Sequence, residues 1–142
     1  MKGHIDPERD QFDAFKALPR DAPIVMLNLV RFRDRAAYPD DTGSGAVSGA
    51  QAYARYSRES GPVFARVGGR ILWSGVPQLV LIGPADERWD TAFLAHYPTA
   101  TAFMEMVTDP DYRRAVVHRQ AAVETSRLIR MAPRGAEPPA FG

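Results

Sequence analysis

The stretch from Trp89 to Arg119, WDTAFLAHYPTATAFMEMVTDPDYRRAVVHR, constrains the fold of this 142-residue chain more than any other. Trp89, Thr91, Phe93, Ala95 and Tyr97 alternate with Asp90, Ala92, Leu94 and His96, so a strand from Trp89 to Tyr97 shows one set to each side of a sheet. Both sets are mostly apolar, which predicts a strand covered on both faces. Pro98 ends it and a helix follows to about Val107. Asp109-Pro110 then opens a second helix carrying Tyr112, His118 and Arg119.

The preceding chain has the same grammar. Pro23 to Val30, PIVMLNLV, is the clearest strand, with Asn28 a lone amide among aliphatic neighbours. Such an amide must find partners or cost about 1–3 kcal/mol. It either ties down a loop or meets a ligand. Ala50 to Val67 reads as a long helix with Tyr53, Tyr56, Val63, Phe64 and Val67 at helical spacing. Ser60-Gly61-Pro62 should bend or interrupt it, and Gly68-Gly69 should stop it. Arg70 to Gly83 reads as one long strand broken near Gly75-Val76-Pro77, or as a hairpin of two. Glu124 to Met131 reads as the last strand.

Three segments lie outside this pattern. Asp6-Pro7-Glu8 reads as a capped helix start, with Phe12, Phe15 and Leu18 as the stripe that packs on the sheet. Arg31 to Gly49 is the longest irregular segment, a turn-rich loop or a mobile lid, and its Asp40-Asp41 pair has no metal-ligand spacing. Residues 133–142 read as a loose tail. The expected organisation is a helical extension over 1–22, one domain over 23–132, and the tail.

Strand–helix–strand thus occurs twice, from Pro23 to Gly75 and from Trp89 to Met131. That βαββαβ order predicts an α+β, ferredoxin-like sandwich: a four-stranded antiparallel sheet with the helices on one face, plus the N-terminal helix. The other face also carries apolar residues on several strands. A second copy, joined by an isologous two-fold contact, is the simplest cover, so a homodimer is expected. MLNLVRFRDRA at 26–36, AYARY at 52–56, VGGRILWSG at 67–75 and YPTATAFMEMVTDPDYRRAVVHR at 97–119 resemble a bacterial domain-of-unknown-function family of the dimeric α/β-barrel superfamily. The resemblance covers roughly residues 23 to 131 and implies protomers whose sheets pair as a barrel. The superfamily includes cofactor-free monooxygenases, haem-degrading enzymes, isomerases and ligand-binding modules. It therefore transfers no catalytic role to any residue here.

Composition excludes more than it suggests. Eighteen basic against seventeen acidic residues leave a net charge of +1, so nothing in bulk electrostatics points to nucleic acid or an anionic membrane. With no cysteine, thiol catalysis, cysteine–zinc sites and disulfides are ruled out. No apolar run reaches membrane-spanning length and the N-terminus lacks a signal-peptide core, which makes the cytoplasm the expected location. HExxH, HxH and i, i+4 histidine pairs are missing, as are P-loop, GxGxxG and GxSxG motifs. Neither a metal nor a cofactor is expected.

What remains is a mainly aromatic pocket with a few polar groups, the usual form of a small-molecule site. Its candidate acid–base group is His96 and its candidate oxygen-orienting donor is Asn28. Arg31, Tyr53, Tyr56, Trp73, Trp89 and Tyr97 are candidates for substrate binding. Strand alternation allows either the Trp89/Tyr97 set or the His96 set to face the helices. The expected function is binding, or cofactor-independent oxygenation or isomerisation, of a small apolar or aromatic molecule. The alternative is a non-catalytic binding or purely structural module.

Overall fold

Seven of the nine residues from Ile24 to Phe32 are aliphatic or aromatic, and they form the strand at the centre of the sheet (β1). The structure, a computed structural model, describes residues 3–39 and 46–135. Before β1 comes α1 (Arg9–Ala17), and after it α2 (Gly49–Arg66), β2 (Arg70–Gly75), β3 (Thr91–Tyr97), α3 (Ala100–Thr108), α4 (Pro110–Ala122) and β4 (Val123–Met131). The strands pair antiparallel in the order β2-β3-β1-β4. This is the expected ferredoxin-like α+β sandwich, with an added N-terminal helix and the second crossover helix divided at Asp109.

Cross-strand pairs put Ile24, Met26, Asn28 and Val30 on the same face as Phe93, Ala95 and Tyr97. This inner face packs on the helices. Ile24, Met26, Ala95 and Tyr97 share a core with Val63, Phe103, Met106 and Tyr112. A second cluster joins Val30 to Ala52, Tyr53, Ala122 and Val123. The opposite, outer face carries Val25, Leu27 and Leu29 of β1, Leu94 and His96 of β3, Trp73 of β2 and Ile129 of β4. None of the described helices covers it, and Trp73 and Ile129 are 60% and 46% exposed. The sequence expectation that β3 is covered on both faces is met on the inner side within one chain.

Helix ends follow the local chemistry. Ser48 and Gln51 form a reciprocal capping box at the start of α2. The Thr99 hydroxyl accepts from the Ala102 amide to cap α3, and the Asp109 carboxylate accepts from the Asp111 amide, with Pro110 opening α4. Gly68, at φ +87°, closes α2 in the left-handed region that favours glycine.

Two local expectations need correction, and at Pro62 the structure excludes interruption of the helix. Pro62 lies inside α2 without ending it. Val63, 1% exposed, holds the last turn in the core, and this packing outweighs the missing amide. Helix α1 starts at Arg9 with Glu8 as its cap residue, two positions later than Asp6-Pro7 suggested. The Asp6 carboxylate accepts from the Gln120 side-chain amide instead. Beyond Gly75 there is neither a long strand nor a hairpin, since Pro77 supplies no amide to a ladder. Residues 76–90 run outside the sheet, leaving Val76, Leu79, Leu81 and Ile82 exposed.

The loop after β1 is pinned where it is described. Arg33 and Ala37 amides donate to the carbonyls of Ala122 and Ala121, and Ala36 donates to Val47. Asp40-Asp41 and most of the expected tail lie outside the described residues. Among the described residues no helix is long and apolar enough to cross a membrane.

Candidate functional site

Between the inner sheet face and the helices runs a cleft of about 2010 Å³. It extends from Ile71 and Ser74 at the β2 edge to Phe12 and Phe15 of α1. Small-molecule pockets occupy about 300–1,000 Å³, so a ligand of that size would fill part of it.

Ten Phe and Tyr residues are among those that line the cleft, because the inner-face strand positions and the facing helical stripes carry rings. The ring of Phe32 lies 5.1 Å from Tyr53, Tyr53 lies 5.3 Å from Tyr56, and Tyr56 lies 6.0 Å from Tyr112. Further along, Tyr97 makes edge contacts with Phe64 and Phe103 at 5.4 and 5.3 Å.

Polar and charged side chains line the cleft as well, among them Asp6, Glu8, Asn28, Asp90, Arg119 and Ser126. The Asn28 amide donates to the Met26 carbonyl at 3.1 Å, which leaves the side-chain oxygen as an acceptor on the cleft wall. The Tyr56 and Tyr112 hydroxyls share a hydrogen bond of 2.8 Å. Burial pushes the phenols of Tyr53, Tyr97 and Tyr112 above their ordinary range, and the neighbouring Tyr56 adds to each shift. All three stay neutral at ordinary pH and act as hydroxyl donors or acceptors. Arg119, a positive charge near both, pulls Tyr53 and Tyr112 partly the other way.

The structure divides the candidate residues. Asn28, Tyr53, Tyr56 and Tyr97 line the cleft together. His96 lies on the outer face, opposite Val25 and Arg70 in the ladder, and its buried Nδ1 has no hydrogen-bond partner among the described residues. It therefore cannot act with Asn28 on one molecule in this cleft. Trp73 is also on the outer face. Trp89 precedes β3, with the Arg127 guanidinium 5.4 Å from its ring centre, and Arg31 pairs with Glu124 at 2.7 Å. Neither lines the cleft. Alternation along β3 correctly separates Tyr97 from His96, and packing decides that the Tyr97 set faces the helices.

Sequence reading passed over Tyr112 and Arg119 as cleft residues. The available signal was their spacing: seven residues apart, they share one stripe of α4 with the buried Ala115 and Ala122. His118, next in the chain, points elsewhere, with Nε2 3.1 Å from the Glu59 carboxylate and Nδ1 2.6 Å from the Tyr38 hydroxyl. Among the described residues no group of three His, Cys, Asp or Glu is placed to hold a metal ion.

No curated protein matches the sequence. Among solved structures, a protein of unknown function from Rhodopseudomonas palustris is 57% identical, with a TM-score of 0.88 over 94% of this chain and 99% of that one. The methylated form of the same protein gives 55% identity and a TM-score of 0.90 over 97% and 100%. SnoaB, a cofactor-independent oxygenase from Streptomyces nogalater, is 14% identical with a TM-score of 0.52 over 82% of this chain and 98% of that one, a likeness of fold alone. Residues 43–132 match the family described as Domain of unknown function (DUF1330), and the chain belongs to that family.

Proposed function

We propose that the protein binds a small, mainly apolar or aromatic molecule in the cleft between its sheet and helices. The observation that carries this reading is one wall of the cleft: a run of rings from Phe32 through Tyr53 and Tyr56 to Tyr112, beside the Asn28 amide and the paired phenol hydroxyls. An apolar enclosure with a few oriented polar groups is how proteins select small organic ligands. If the ligand is transformed, Asn28 and the Tyr56–Tyr112 pair are the groups placed to orient an oxygen. The outer sheet face, with Trp73 and Ile129 uncovered, suits a second copy of the chain.

Calorimetric titration with 2-naphthalenemethanol, a neutral two-ring probe, tests the binding reading. Saturable binding at one site per chain, weakened in a Met26→Trp variant whose indole narrows the cleft beside Asn28, is the expected result. An absence of binding by the folded wild type would overturn the reading. Loss of the dimer in Trp73→Glu, read by light scattering, would support the second copy; a wild type that is monomeric at micromolar concentration would remove it.

A further inference from the structure

Asp6, Glu8, Asp90, Arg119, Arg127 and Arg130 are the charged side chains that line the cleft, and Arg119 is the one set among its phenols. Arg119 sits on the inward stripe of α4, half-buried, and lines the cleft with Tyr53 and Tyr112. One end of its guanidinium donates to the Ile5 carbonyl and the other to the Ser126 hydroxyl at 3.1 Å. These bonds use two of its five N–H groups. Among the described residues no carboxylate lies within ion-pair distance of it. A guanidinium removed from water normally gains an anionic partner, because desolvating an uncompensated charge is costly.

Two neutral hydrogen-bonding groups surround this charge. Ser126 stands opposite Val30 in the ladder, one inward position from Asn28, so the guanidinium is anchored beside the strand amide. The Tyr53 hydroxyl, held protonated by burial, makes no hydrogen bond among the described residues and is free there to donate. Two further arginines, both on β4, line the cleft and are differently engaged: Arg127 donates to the Ser126 carbonyl and lies 5.4 Å from the Trp89 ring centre, and Arg130 meets α1 and the segment after it. It donates to the carbonyls of Phe15 and Pro19 and stacks 4.7 Å above the Phe15 ring.

We infer that the cleft takes an apolar molecule ending in a carboxylate, held by Arg119 with the Tyr53 hydroxyl as a second donor. The inference rests on the binding reading above and names the ligand class. The planar fork of a guanidinium matches the two oxygens of a carboxylate, and Arg127 and Arg130 are engaged elsewhere by the Trp89 and Phe15 rings and by main-chain carbonyls. The competing reading makes Arg119 a clamp that fixes the N-terminal segment, its charge serving only the last turn of α4.

The test compares 2-naphthoate with 2-naphthalenemethanol, which differ in the charged end, on the full chain by calorimetry. The expected result is that the acid binds on the order of 10- to 100-fold more tightly, as a charge-assisted contact would give. In Arg119→Gln that preference should vanish while the affinity for the alcohol holds. In Tyr53→Phe, which preserves the packing, it should shrink several-fold. Equal wild-type affinities, or a preference unchanged in Arg119→Gln, would overturn the inference and leave the apolar cleft standing. Binding of neither probe would overturn both readings. Should Arg119→Gln fail to fold, a preference unchanged in Tyr53→Phe overturns the inference and a reduced one supports it.

Discussion

The hydroxyl pair between Tyr56 and Tyr112 allows a sharp test of how the cleft is held together. The two oxygens are 2.8 Å apart, and Tyr112 is 9% exposed while Tyr56 is only partly buried. Tyr56→Phe leaves the Tyr112 hydroxyl unpaired in the deeper position, at a cost of about 1–3 kcal/mol, whereas Tyr112→Phe leaves a hydroxyl that cleft water can reach, at about 1 kcal/mol. The double variant removes donor and acceptor together and leaves nothing unsatisfied. It should therefore cost no more than Tyr56→Phe alone, giving a coupling of about 1–2 kcal/mol in a double-mutant cycle. Urea denaturation of the four proteins measures this directly, with unchanged m-values as the check that the unfolded state is not altered. In thermal melts, 1 kcal/mol corresponds to about 4 °C for a chain of this length. Additive single costs, or Tyr112→Phe exceeding Tyr56→Phe, would refute the reasoning and show that water, not the partner phenol, satisfies these groups.

Four further outcomes are expected. Absorbance titration at 295 nm should show that Tyr53, Tyr97 and Tyr112 do not ionise with an ordinary midpoint; because their folded pKa values are raised, their contribution to stability is complete below about pH 10 and lost as pH rises above it. The amide of Asp111, first among its causes, holds the Asp109 carboxyl below its ordinary range, so its contribution is present at neutral pH and lost from about pH 4 downward; the melting-temperature gap between wild type and Asp109→Asn should close over that window. Gly49→Ala places a methyl group 2.1 Å from the Arg33 carbonyl oxygen and should lower stability by about 1–3 kcal/mol or more in chemical denaturation. Tyr38→Phe removes the contact to His118 and should speed hydrogen exchange at the Ala36 and Ala37 amides without changing exchange in β1.

The sequence carried most of the fold because several of its signals are local. The aliphatic run of β1, the Asp109-Pro110 break and the glycines after α2 each act within a few residues, and their order dictates the sheet. Contacts between distant segments were less legible. Period-two alternation separates Tyr97 from His96 but is silent on which set meets helices, since both sets read as apolar. Deciding it takes Phe64 and Phe103, which meet Tyr97 from other elements. Arg119 sits in a run of cations that reads as surface, and its inward aim follows only from the register of α4 against Tyr112. The end of β2 was misread because Leu79, Val80, Leu81 and Ile82 have strand-like composition, while strand formation needs a neighbour to pair with.

The segment that closes the α1 end of the cleft is attached through its main chain. Arg119 grips the carbonyl of Ile5, Arg130 those of Phe15 and Pro19, Ser126 that of His4, and Thr101 that of Arg20. A carbonyl is present whatever side chain its residue bears, so these clamps do not read the segment's sequence. Apart from Phe15, whose ring packs on Phe103, Ile5, which packs on the second core cluster, and Asp6, which accepts from Gln120, the side chains presented to the cleft can change while the attachment persists. Frame and selectivity are thereby separated: substitutions at Phe12 or Leu18 can alter what the cleft admits at little cost to the fold that bears it.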